Sequence, residues 1–196
     1  MSDQTDHAHR RVLLHVCCAA CWAAVVEDLT QQNIDYEGLF YNPNIHPLIE
    51  FRRRLKACKV FAHDLKLPLT VDEDYGLVGW LRQVVGHEDR RCDICYRMRL
   101  TQTARTARER GFDAFSTTLL VSPHQKHERL HRIGQQVADE VGCTFLYRDW
   151  RPLFESGHAQ AQRRNLYLQQ YCGCVYSEYE RYKNTTRHLW RPPAGT

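Results

Sequence analysis

A chain of 196 residues, 43% hydrophobic and 11% aromatic, holds enough apolar material for one buried core, which excludes a disordered chain. The formal charge of +4, from 27 Lys+Arg against 23 Asp+Glu, permits a polyanionic partner without requiring one. No apolar run reaches the length of a membrane span, and residues 1–10 lack the apolar stretch of a secretory signal. The expectation is a flexible tail, 1–10, and a single α/β domain, 11–196, in the cytoplasm with no membrane partner.

In chain order, Arg11–Val16 reads as a first strand. A helix follows with Trp22, Val25, Val26 and Leu29 at offsets 0, 3, 4 and 7. Tyr36–Tyr41 is a second strand, closed by the turn-forming Asn42-Pro43-Asn44. Leu48, Phe51, Leu55, Cys58, Ala62 and Leu65 mark one face of a long helix, and Leu67–Val71 a short third strand. Glu73–Glu88 and about Cys95–Arg110 are expected helices, the second stopped by Gly111. Asp113–Val121 is strand-like. Ser122-Pro123-His124-Gln125 offers a Ser N-cap, a Pro at the first helical position and a Gln three residues after the cap. Leu130, Ile133, Val137 and Val141 continue that helix to Gly142, and Cys143–Tyr147 is the last strand, with helical segments beyond it. Such alternation predicts a parallel sheet with helices on both faces. Ligands of such sheets sit at the carboxyl ends of the strands.

The first of three cysteine groups falls at such an end: Cys17-Cys18-Ala19-Ala20-Cys21, directly after the first strand. The others are Cys92-Asp93-Ile94-Cys95 and Cys172-Gly173-Cys174. Nine cysteines, an odd count, in a reducing compartment argue for metal ligation or thiol chemistry rather than disulfides. A C-x-x-C pair entering a helix can converge on one centre, where free backbone N–H groups favour thiolates. Cys172 and Cys174, in an extended stretch, point to one face with separated sulfurs, which suits adjacent metal centres. A closed zinc site needs only four thiols, and a thioredoxin-like pair explains only Cys18 and Cys21. Seven thiols suffice for a [4Fe–4S] cluster of four ligands and a second metal with room for substrate. Cys58, on an apolar helix stripe, and Cys143, opening a strand, read as core.

No GxGxxG or GxxxxGK[ST] loop is present, so electrons would come from outside the chain. Arg52, Arg53, Arg54, Lys56 and Lys59 form one basic cluster, and Arg90, Arg91, Arg97 and Arg99 flank the second cysteine pair. Arginine with interleaved Tyr suits phosphates and splayed bases, although each cluster alone also fits a solvated helix face.

LLHVCCAACW, YNPNIHP with Phe51 and Arg53, RCDICYRMRL, FSTTLLVSPHQKH, RDWRPLFESG and YCGCVYSEYERY together resemble the QueH family of epoxyqueuosine reductases, over about residues 11–183. The resemblance implies a Rossmann-like fold similar to the nucleotide alpha-hydrolases. It implies two-electron reduction of epoxyqueuosine at the tRNA wobble position to queuosine. It also implies a [4Fe–4S] cluster beside a second, mononuclear iron. Carried over, the cluster-binding set is Cys17, Cys18, Cys92, Cys95, Cys172 and Cys174, and Cys21 completes the metal set of seven. The residues themselves, apart from the resemblance, offer Asp93, His46 or a metal-bound water as proton donor, and Arg53, Arg54, Arg91, Arg97 and Arg99 as candidate tRNA contacts. The electron source is an external one-electron donor such as a ferredoxin or flavodoxin. A zinc-stabilised tRNA-binding module without catalysis is the alternative from another class.

Overall fold

The computed structural model describes residues 11–186 and 189–190, so the expected tail at 1–10 lies outside the described residues. Arg11–His15 (β1) has Val12, Leu13 and Leu14 fully buried in succession. Consecutive apolar residues require cover on both faces, so β1 takes the centre of a sheet. Asp35–Phe40 (β2) pairs parallel to one side of β1, with Arg11 opposite Asp35, and Leu69–Val71 (β3) pairs beyond it. Ala114–Thr117 (β4) pairs parallel on the other side, His15 opposite Thr117, and Thr144–Phe145 (β5) completes the order β3-β2-β1-β4-β5.

Ala19–Gln31 (α1) joins β1 to β2, and Leu48–Leu65 (α2) joins β2 to β3. Leu77–Val84 (α3) and Arg91–Glu109 (α4) precede β4, His127–Val141 (α5) links β4 to β5, and Phe154–Arg163 (α6) and Val175–Tyr182 (α7) follow. α1 packs on α2 and α6, whereas α4 packs on α5, β1 and β4. Right-handed crossovers that leave β1 in opposite directions put these two layers on opposite faces of the sheet. The architecture is the Rossmann-like α/β sheet expected. Gly157 lets α6 lie directly on α1, where any Cβ would fall 2.5 Å from Ala24 Cβ and 2.6 Å from the Ala20 carbonyl oxygen.

The chain reverses direction across the sheet between β1 and β4, and both strands end there together. This topological switch point is where such sheets open a ligand crevice.

Several boundaries differ from the sequence reading. The strand expected through Val121 stops at Thr117, whose Oγ1 accepts Leu119 N–H at 3.1 Å and caps a 3-10 turn over Thr118–Val121. Ser122 caps a turn, not α5: its Oγ accepts His124 N–H at 3.3 Å and its carbonyl accepts Gln125 N–H at 3.2 Å. The helix starts at His127, after Tyr96 OH has accepted Lys126 N–H and donated to Gln125 Oε1. The expected helix 73–88 shrinks to α3, because Asp72 and Asp74 take the N–H groups of Asp74 and Gly76 in local turns. α4 begins one turn earlier than expected.

Candidate metal centre

Cys17, Cys18 and Cys21 occupy the step from β1 into α1, and their sulfurs all lie within 4.8 Å of one another. All three are buried. Cys18 is the N-cap of α1, its Sγ accepting Cys21 N–H at 3.5 Å. Cys17 Sγ donates to Cys18 Sγ at 3.7 Å and accepts from Thr118 Oγ1 at 3.2 Å, and Gln169 Nε2 donates to Cys18 Sγ at 3.1 Å. These donors hold Cys18 well below the usual thiol range, led by the hydrogen bond from Cys17. The bond to Cys18 pushes Cys17 up to about 11, and Cys21 is raised further by the same neighbours. Three convergent sulfurs, one already favouring the thiolate, are a ready donor set for one soft cation, whose binding would displace the remaining protons. A tetrahedral ion with metal–sulfur bonds of about 2.3 Å spaces its sulfurs by about 3.8 Å, within the reach of this triad.

The other four cysteines meet from two segments. Cys92 and Cys95 stand on the first turns of α4, three residues apart on one face. Cys172 and Cys174 lie in the loop before α7, and Cys174 is its N-cap, with Sγ accepting Ser177 N–H at 3.4 Å. Burial pushes Cys95 up to about 12, and the charges of Cys172, Cys174 and Cys92 add to that. No three of these four approach one another as closely as the triad does. A wider quartet of this kind fits a group larger than a single ion.

Two arginines bind the quartet to its surroundings. Arg54, 2% exposed, pairs with buried Glu50 at 2.7 Å and donates to the carbonyls of Cys172 at 2.8 Å and Tyr171 at 2.9 Å. Gly173 passes this clamp at φ +146°, with Asn44 Nδ2 and Ile45 Cγ1 each 3.2 Å from where a Cβ would sit. Arg99, also 2% exposed, donates to the Cys95 carbonyl and to Cys95 Sγ, both at 3.1 Å. Among the described residues no carboxylate pairs with it. Burial opposes its charge, but the sulfurs of Cys95, Cys172 and Cys17 outweigh that and hold its proton on. Its counter-charges thus come from both thiol groups, which reads as a site built for anionic sulfur.

A cavity of about 400 Å³ opens between the groups, lined by Cys17, Cys21 and Cys172 together with Gln125, Phe154 and His158. His158 Nε2 is buried there without a hydrogen-bond partner.

Comparison with known proteins places this arrangement. The family model described as epoxyqueuosine reductase QueH matches residues 12–180, a span that includes all seven motif cysteines. The chain belongs to this family. An epoxyqueuosine reductase QueH of Dehalococcoides mccartyi is 39% identical over 88% of this chain and 94% of the relative. Those of Acinetobacter baylyi, 35% identical over 94% and 85%, and Thermotoga maritima, 34% identical over 87% and 91%, agree with it. QueH membership makes the chain an oxidoreductase, and among the described residues no helix is long and apolar enough to cross a membrane.

Within this QueH chain the structure redistributes the other expected site residues. Arg54 and Arg99 are turned inward on the thiol groups, which corrects their expected place at an RNA phosphate. Their positive charge predicted a surface, but Arg54 is offset by Glu50 and then the thiols, and Arg99 by the sulfurs. Arg97 spends its guanidinium on Glu140 and Gln136 of α5, and Arg91 on Glu180 and the ring of Tyr176. Arg53 stays exposed over the ring of Tyr167. Asp93 faces Arg129 at 3.4 Å and does not line the thiol cavity. His46 does not line it either, and burial lowers it to about 4, leaving no imidazolium at neutral pH. Gln125, His158, Gln169 and Thr118 reach the cavity or its sulfurs and were missed as site residues. Gln125 lay inside a motif misread as a helix start, and the other three carry no local signature. Cys58 and Cys143 are buried outside both groups, as expected of core residues.

Proposed function

We propose that this chain reduces epoxyqueuosine in the anticodon loop of a cytoplasmic tRNA to queuosine. The reading further assigns a [4Fe–4S] cluster to Cys92, Cys95, Cys172 and Cys174 and a single iron to Cys17, Cys18 and Cys21. The observation that carries it is the division of seven thiols into a tight triad and a wider quartet, with Cys17 and Cys21 of the one and Cys172 of the other lining one cavity. The names of the relatives supply the substrate.

The reaction breaks both C–O bonds of the epoxide, leaves a double bond between its two carbons, consumes two electrons and two protons, and releases water. When bound, the iron groups supply the electrons, drawn one at a time from an external donor such as a ferredoxin or flavodoxin, together with an electron-poor site for the departing oxygen. The chain's own residues do the rest. Arg54 and Arg99 keep the thiolates anionic in a low-dielectric interior. Cys18, as N-cap, and Thr118 orient the triad toward the cavity. Gln125 holds a substrate hydroxyl group, and His158, unpaired at Nε2 in the cavity wall, passes protons to the oxygen as its charge develops. Phe154 covers the opening and limits water. Arg53 takes a phosphate of the loop.

The test is anaerobic turnover of epoxyqueuosine-containing tRNA with dithionite as reductant, read by mass spectrometry of the digested nucleosides. Queuosine is expected without added cobalamin, flavin or nicotinamide. Product formed by zinc-only protein, or formed only when one of those cofactors is added, overturns the reading.

A further inference from the structure

A second cavity, about 810 Å³, lies beside the first and is lined by His46, Tyr75, Tyr167, Gln170, Tyr171 and Tyr182. Gln170 and Tyr171 also line the thiol cavity, so these two consecutive residues form a shared partition. The volume suits a ligand the size of a nucleotide. Nothing in the metal chemistry uses this groove.

Its polar groups are arranged for a ligand. His46 is 4% exposed, with both ring nitrogens covered and the ring edge-on to Trp80 and Tyr75, so it serves as a fixed wall. The exposed amide of Gln170 in the lining offers a donor and an acceptor, the pattern of a nucleobase edge. Tyr167 and Tyr171 are tethered through their hydroxyls to Glu50 and to the His46 carbonyl, so their rings are fixed. Tyr182 is 38% exposed, and Ile49 and Val175 on the rim are 55% and 46% exposed. Arg53 stands at the edge over Tyr167, and among the described residues no carboxylate pairs with it. Glu50 and Glu178 also line the groove, and among the described lining residues Arg53 is the one cation, so a single phosphate fits better than a polyphosphate.

Resting on the proposed function, we propose that this groove is a nucleotide subsite. It takes an unpaired ribonucleotide adjacent to the modified one, with its base against Tyr75 and Tyr182, its edge toward Gln170, and its phosphate on Arg53. Continuity across the Gln170–Tyr171 partition favours RNA over a protein electron donor, because the reacting base must occupy the adjoining cavity.

The probe is an anticodon stem-loop RNA carrying fluorescent 2-aminopurine on either side of the position to be modified. Binding to the wild-type protein should change the fluorescence of the analogue from one side by stacking. Tyr182→Ala and Arg53→Gln, both surface changes, should abolish that signal and weaken binding about tenfold or more. With the modified loop as substrate, KM should rise with kcat kept. Variants that bind, signal and turn over like wild type overturn the subsite while leaving the reductase reading intact. The same holds if the variants lose affinity for flavodoxin and keep it for RNA. Wild-type protein that shows the stacking signal yet makes no queuosine supports the subsite and sinks the reductase reading.

Discussion

The triad and the quartet reach similar chemistry by opposite routes. The triad comes from one short segment, and its geometry follows from the end of β1, the cap of α1 and the threonine that begins the neighbouring 3-10 turn. Its three sulfurs come together within five residues, and Thr118 and Gln169 from elsewhere only add hydrogen bonds. The quartet joins the start of α4 to a loop far along the chain, and that loop is held by the buried Arg54–Glu50 pair and by a glycine threaded past Asn44. Local assembly makes a group that survives most changes elsewhere. Remote assembly makes one that fails when its anchor fails. The two groups should therefore respond differently to the same kind of damage.

The largest effect comes from the ligands. Cys95→Ser and Cys18→Ser should each abolish turnover, but Cys95→Ser should lose bound sulfide and most iron, whereas Cys18→Ser should keep sulfide and lose a minor share of iron. Iron and sulfide analysis of anaerobically prepared protein checks this. Loss of sulfide in both variants would merge the two groups into one.

Next is the anchor. Arg54→Met leaves Glu50 buried and unpaired, and breaking a buried pair in this way costs about 3–5 kcal/mol. Urea unfolding of the metal-free protein measures it, and adding Glu50→Gln should recover part of the loss. The quartet should lose its metal first, with the triad retained.

Acid should follow. His15 is fully buried beneath the triad, with Nδ1 2.8 Å from Thr117 Oγ1, and burial lowers it to about 4, as it does His46 beneath the quartet's loop. Both groups bind protons more readily unfolded, so they destabilise the fold as pH drops below about 6.5, by of order 3 kcal/mol each at pH 4. Unfolding free energies at pH 7, 5 and 4 test the sign, and His46→Gln should flatten the slope. A stability that rises toward pH 4 would contradict both placements.

The smallest effect belongs to Cys58, fully buried and close enough to Cys17 and Cys18 for their charges to raise it, after burial itself. Cys58→Ala should cost about 1 kcal/mol or somewhat more and leave iron and sulfide unchanged. Loss of iron would make it part of the triad.

The sequence made the groups legible and their partners not. Leu130, Ile133, Val137 and Val141 showed their helix through period alone, and all four are buried. The cysteine spacings named all seven thiols. They could not show which sulfurs stand together, because Cys92 and Cys172 become neighbours only through the fold. Arg54 and Arg99 were read as surface because charge ordinarily seeks water. The burial of Arg54 rests first on the carboxylate of Glu50, and that of Arg99 makes sense once sulfur is counted as the opposing charge. Ser122 was read as a helix cap because its motif fits one, and a side chain from α4, Tyr96, decided otherwise.

Gly157 holds no ligand and touches no sulfur, yet it governs clearance. Phe154 and His158 flank it on α6, and they reach the thiol cavity only because α6 rests on Ala20 and Ala24 with no atom between. One methyl group at this position would lift the helix and carry both side chains outward with it. The caliper that decides how large a molecule can enter is therefore closed by a missing carbon, on a helix that no motif would have singled out.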